Sequence, residues 1–193
     1  MKNQTARDLF EYVKTTKNFF PYSNIKIVTN GILLLTMNDD FFNEIRRYNI
    51  EICISVYPPV KKMLAKIEEK LTKESITYNV FRVGDIFNKI LTSTKNENIK
   101  EIANACEKCT IMYNGLISRC APSIFINIFN KKFNENFPNE NKLVEEFSNS
   151  KELFYHLNSP KKLCDFCTGD YDQIGFKWEN GNLVKEDKND YIR

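Results

Sequence analysis

The chain has 193 residues, room for one domain or two small ones, and its 42% hydrophobic and 27% charged content is that of a chain able to bury a core. A net charge of +3, with basic and acidic residues interleaved, speaks against a nucleic-acid or acidic-membrane partner. No window of about 18 apolar residues exists, and the opening MKNQTARDLFEYV lacks the apolar stretch of a signal peptide. The expected compartment is therefore the cytoplasm.

Residues 5–20, TARDLFEYVKTTKNFF, place Leu9, Phe10, Val13 and Phe20 at near-helical spacing and predict an amphipathic helix ended by Pro21. NIKIVTNG predicts a buried strand stopped by the turn pair Asn30-Gly31. MNDDFFNEIRRYN predicts a helix capped by Asn38 or Asp39, with Phe42, Ile45 and Tyr48 inward. IEICISVYPP predicts a second strand closed by Pro58-Pro59, and VKKMLAKIEEKLTKES a helix with Met63, Leu64, Ile67 and Leu71 inward. ITYNVFRV predicts a third strand and DIFNKILTST a short helix. Helix-length connections between apolar strands are the pattern of parallel βα units, so the three strands should lie side by side in an α/β fold.

Near residue 95 the character changes, and STKNENIKE reads as a polar linker. SIFINIFNKKFNENFPNE follows, then a predicted helix NKLVEEFSNSKELFYHLNS, and Asn180-Gly181 suggests a small terminal hairpin. The expected organisation is an α/β segment over 1–95, a cysteine-rich domain over 96–175 and a tail over 176–193.

Five of six cysteines form a pattern, Cys106-x2-Cys109-x10-Cys120-x43-Cys164-x2-Cys167. Two C-x2-C pairs and a fifth thiol in a chain where disulfides are rare point to a metal centre. A C-x2-C turn lets two sulfurs converge, and thiolates suit zinc and iron–sulfur clusters alike. Zinc would take Cys106, Cys109, Cys164 and Cys167 and leave Cys120 spare. A 4Fe-4S cluster would also take four thiols. Spacing leaves both open. Cys53, inside IEICISV, reads as an ordinary buried thiol.

Two further features carry a resemblance. IKIVTNGILLLTMNDDFF followed by NIEICISVYPP resembles the third and fourth strand regions of radical SAM enzymes. GLISRC resembles the Gly-x4-Cys element of their C-terminal auxiliary-cluster domains, called SPASM or, when shortened, twitch. The resemblance spans residues 8 to about 170. It implies a partial (β/α) barrel and an auxiliary 4Fe-4S cluster held by Cys120, Cys164 and Cys167, with Cys106 and Cys109 competing for the fourth place. Complete relatives generate a 5′-deoxyadenosyl radical to modify a peptide, sugar or small substrate. By the same resemblance Ser55, Thr29 and Asn30, at strand ends, would face S-adenosyl-L-methionine; as plain turn and loop formers they need no ligand.

The family's C-x3-C-x2-C motif and Gly-Gly-Glu-Pro element do not occur in this sequence. The resemblance therefore implies the C-terminal part of such an enzyme: truncated, split or a remnant, inactive alone and able to use the SAM cofactor only if an N-terminal half is supplied. The missing strands would leave the edge of NIKIVTNG open to that half or to a second copy. The alternative is a non-enzymatic module stapled by zinc or a cluster that binds a partner.

Smaller features have bland readings. The only histidine, His156, reads as helix-face packing, Arg82 as a surface residue, and Arg119 as a possible screen for an anionic cluster. Phe125, Phe129, Phe133 and Phe137 recur every four residues, a core stripe rather than a base-stacking platform.

Overall fold

The computed structural model describes residues 2–82, 91–106, 109–168, 188–190 and 192. Those up to 82 and those from 91 onward group into two compact units. The terminal hairpin at 180–181 lies outside the described residues, as does most of the short helix read at 85–94.

The first unit is mixed α/β. It runs α1 (Lys2–Phe19), β1 (Lys26–Thr29), a 3-10 turn (Ile32–Thr36), α2 (Asp39–Arg47), β2 (Glu51–Val56), α3 (Pro58–Lys61), α4 (Leu64–Lys73) and β3 (Tyr78–Arg82). The strands form a parallel sheet in the order β1-β2-β3, as the alternation of helix and strand predicts. Asn38 caps α2, its Oδ1 accepting from the Phe41 amide at 3.2 Å; such a cap contributes about 1 kcal/mol. The helix predicted across 60–75 is broken at Lys62 and Met63 into α3 and α4, because the turn opened by Pro58 closes on itself before Leu64.

One face of the sheet is core. Ile52 and Ile54 pack with Phe42 and Ile45 of α2, Ile67 and Leu71 of α4 and Val13 of α1. Burying each such side chain stabilises the fold by about 1.5–3 kcal/mol. Gly31, at φ 78°, turns the chain over this layer; a Cβ there would stand 3.2 Å from Ile67 and 3.5 Å from Ile54. Strand alternation puts Val28, Cys53, Ser55, Asn79 and Phe81 on the opposite face. On that face Val28 and Phe81, on the flanking strands, are 69% and 52% exposed, while Cys53 on the central strand is buried.

The second unit contains α5 (Ile99–Ala105), the antiparallel strands β4 (Ile111–Tyr113), β5 (Leu116–Ser118) and β6 (Lys142–Leu143), α6 (Ala121–Phe133), α7 (Ser150–Asn158) and a 3-10 turn over Lys162–Phe166. Asn114 and Gly115, at φ 48° and 77°, form the two-residue hairpin turn between β4 and β5. The helix predicted from 141 begins only at Ser150. Asn149 Oδ1 accepts from the Lys151 and Glu152 amides at 3.0 Å and sets the start, while Leu143 pairs with Leu116. The aromatic stripe is core in part: Phe129 contacts Phe133 and Phe137, Phe137 contacts Phe166, and Phe125 turns outward to Tyr113. The polar stretch read as a linker is tied to the last cysteine pair, with Thr92 N–H donating to the Phe166 carbonyl at 2.8 Å and Asn96 N–H to that of Asp165 at 2.6 Å. Among the described residues no helix is long and apolar enough to cross a membrane.

Candidate metal centre

Three local structures bring thiols toward one place in the second unit. Cys106 ends α5, its amide donating to the Ile102 carbonyl at 3.0 Å. Cys120 is the N-cap of α6, following β5 by one residue. Cys164 and Cys167 sit in and just after the 3-10 turn, where the Cys167 amide donates to the Cys164 carbonyl at 3.1 Å. That turn is anchored from behind: Leu163 is buried with Leu91, Ile126 and Phe137, and Phe166 packs on them. Alternate residues of KKLCDFC thus fix the turn while the cysteines remain half-buried.

Hydrogen bonds hold the parts in register. The Lys161 amide donates to Cys164 Sγ at 3.3 Å, a bond of the kind that favours a metal-bound thiolate. Asn96 Nδ2 donates to the Cys167 carbonyl at 3.4 Å, and residue 91 bridges to 167. Arg119, directly before Cys120, donates from Nη2 to the Ala103 carbonyl at 2.9 Å, so the approach to Cys120 is pinned to the helix that carries Cys106.

Burial pushes the Cys120 thiol up. The nearby Cys164, Cys106 and Cys167 sulfurs add to that, while the Ser123 amide opposes it. That amide lies close enough to act on the sulfur but does not reach hydrogen-bond geometry as a helix cap. The Cys106, Cys164 and Cys167 sulfurs, from two further segments, thus each act on Cys120. Cys109 is exposed. None of the six cysteines is in a disulfide. Cys53 is buried in β2, in the first unit.

The donor chemistry suits a soft centre, and the spacing bears on which one. Tetrahedral zinc with bonds of about 2.3 Å draws its sulfurs to roughly 3.8 Å from one another. Among the described residues no three His, Cys, Asp or Glu side chains lie close enough to share a single ion. A cubane binds each thiolate on a different iron, which lets the sulfurs stand farther apart.

No family model, curated protein or solved structure matches this chain.

Arg119 is 2% exposed and Lys161 7% exposed. Burial pushes the Lys161 ammonium below its usual range; the Glu140 carboxylate and the Cys164 sulfur oppose this, and Arg119 adds to it. Its Nζ lies 2.9 Å from His156 Nδ1, so His156, whose own pKa is lowered by burial and by Lys161, accepts from the lysine as a neutral ring. Phe147 packs edge-on against that ring at 5.0 Å. Lys161 is the residue that sequence reasoning missed. Its one available signal was its place three residues before Cys164, where its amide meets the sulfur.

The residues expected to face S-adenosyl-L-methionine divide between two sides of the sheet. Thr29 pairs with Ile54 on the helix-covered face, and its Oγ1 accepts from the Gly31 amide at 3.1 Å. Asn30 Oδ1 accepts from the Ile32 amide at 3.1 Å. Both side chains build the turn. Ser55 stands beside Phe81 toward the C-terminal end of β2, on the face opposite Ile52 and Ile54.

Proposed function

We propose that this chain is the C-terminal part of a radical SAM family protein, a partial core sheet followed by a SPASM/twitch-type domain holding one auxiliary 4Fe-4S cluster on Cys106, Cys120, Cys164 and Cys167. What supports this reading is that the Cys106, Cys164 and Cys167 sulfurs, from the end of α5 and the 162–166 turn, act electrostatically on the half-buried Cys120 at the start of α6. When bound, such a cluster supplies one-electron transfer or a rigid support for a substrate site.

The sequence contains no C-x3-C-x2-C motif, so these residues by themselves hold no open-site cluster with which to cleave S-adenosyl-L-methionine. Of the strand-end residues, Ser55 is the one on the face opposite Ile52 and Ile54. β1 is an edge strand among the described residues, and pairing with a strand of a separate N-terminal half follows from its unpaired backbone groups. Sedimentation velocity should find the chain associating; a stable, monodisperse monomer would count against the pairing.

Anaerobic purification with iron, sulfide and zinc analysis tests the main reading. About four irons and four sulfides per chain are expected, retained in Cys109→Ser and lost in Cys106→Ser. One tightly bound zinc without sulfide would instead favour a zinc-stapled partner-binding module.

A further inference from the structure

The last turn of α7 and the turn that carries Cys164 and Cys167 are joined at Lys161. Its amide donates to Cys164 Sγ at 3.3 Å and its carbonyl accepts from the Cys164 amide at 2.9 Å, so its backbone holds the turn. Its side chain reaches α7, where Nζ stands 2.9 Å from His156 Nδ1. Both groups are withdrawn from water: Lys161 is 7% exposed, and His156 Nε2 is buried without a hydrogen-bond partner among the described residues. An ammonium has donors only, so Nδ1 carries the lone pair and the ring is neutral. A second proton would set two cations in contact where water screens them poorly.

We propose that the His156–Lys161 contact is a proton-operated latch, which fixes the 162–166 turn to α7 while the ring is neutral and releases it when His156 is protonated. The surroundings offer an imidazolium little compensation. Lys142 of β6 adds to the repulsion, although Glu152, on α7 itself, pairs with that lysine at 3.3 Å. Glu140 and the Ile117 carbonyl oppose it. Glu140 also accepts from the Lys162 amide, and Phe147 presents an uncharged ring 5.0 Å away. Burial and Lys161 outweigh the opposing groups, so the folded ring is harder to protonate than a free histidine. The released state takes up the proton first. The latch is therefore fully closed above about pH 6.5 and weakens as pH falls below it, by up to about tenfold per pH unit. His156 is the only histidine, and carboxylates titrate lower, at about pH 4. The latch works whatever the cysteines hold.

The test is an NMR titration of the His156 ring in the full chain, with hydrogen exchange at the Cys164 and Cys167 amides read over the same range. The ring should titrate below about pH 6.5, and in Lys161→Met its midpoint should rise toward that of a free histidine. As pH falls from about 7 to 5, exchange at the two amides, corrected for the intrinsic rate, should speed up by as much as about tenfold per unit. His156→Asn, whose Oδ1 can accept from Lys161 but does not titrate, should keep both amides protected throughout. If Lys161→Met does not fold, the wild-type titration and His156→Asn decide. A wild-type ring titrating at or above about pH 6.5, amides equally protected at both ends of the range, or an acceleration that persists in His156→Asn overturns the proposal. A chain that takes up neither iron nor sulfide overturns the cluster reading and leaves the latch standing.

Discussion

Cys120→Ala will reduce bound iron and sulfide to background and remove the stabilisation that loading gives the second unit. Cys164, Cys106 and Cys167 all act electrostatically on Cys120, from the turn after α7 and the end of α5. Removing it takes away the ligand at the start of α6 and leaves three thiols that cannot close a four-ligand site. Structural metal sites contribute on the order of 10 kcal/mol to the folding of small domains. The second unit has a small apolar centre built from Leu91, Ile126, Phe137 and Leu163 with Phe129, Phe166 and Ile192 around it. On the proposed cluster reading, a unit with so little core would lean on its metal. In metal-free protein the same substitution removes only a half-buried thiol and should change the thermal midpoint little. Comparing Tm of wild type and variant, with and without reconstitution, separates the two contributions. A variant that retains wild-type iron and sulfide would remove Cys120 from the ligand set.

The parallel sheet was legible because its evidence is local and repeated. β2 is apolar through ICISV, Pro58 closes it, and the helices on either side carry inward residues at helical spacing that the structure finds buried: Phe42, Ile45, Ile67 and Leu71. Asn38 was readable as a cap because it stands immediately before two acidic residues and a pair of phenylalanines. The second unit was harder to read for a physical reason. Its strands are two or three residues long, too short for alternation to register, although Asn114-Gly115 carries the same hairpin signal as Asn180-Gly181. The start of α7 hung on Asn149, one of several polar residues in FSNSKE that could have capped or continued a helix. Cys106 and Cys109 could not be ranked from spacing, since both lie in the same C-x2-C; only the packing of α5 against the 162–166 turn distinguishes them. The burial of Arg119 and Lys161 was likewise invisible, because charged residues in a sequence read as solvent-facing until the surrounding chain is placed.

Phe42→Ala is expected to destabilise the first unit by about 3–5 kcal/mol. Phe42 is 0% exposed, on the face of α2 that meets Ile52, Ile54 and α4. Its ring stands edge-on to Phe41 with centroids 5.3 Å apart, and the Lys70 ammonium lies 5.0 Å from its centre. Truncation would remove the transfer free energy of the ring, forfeit the aromatic and cation contacts, and leave a void between α2 and α4. Neither helix can close it easily, since α2 is held by the Asn38 cap and α4 by Ile67 and Leu71 against the sheet. A domain with a total stability of 5–15 kcal/mol loses a large share of it by such a change. Phe42→Leu, which keeps most of the volume, should cost roughly 1–2 kcal/mol. Urea denaturation followed by far-UV circular dichroism reads both. The ordering wild type, Leu, Ala in midpoint is the expected result. An Ala variant melting with wild type would mean that the core does not centre on α2, and that the helix-covered face of the sheet has been misassigned.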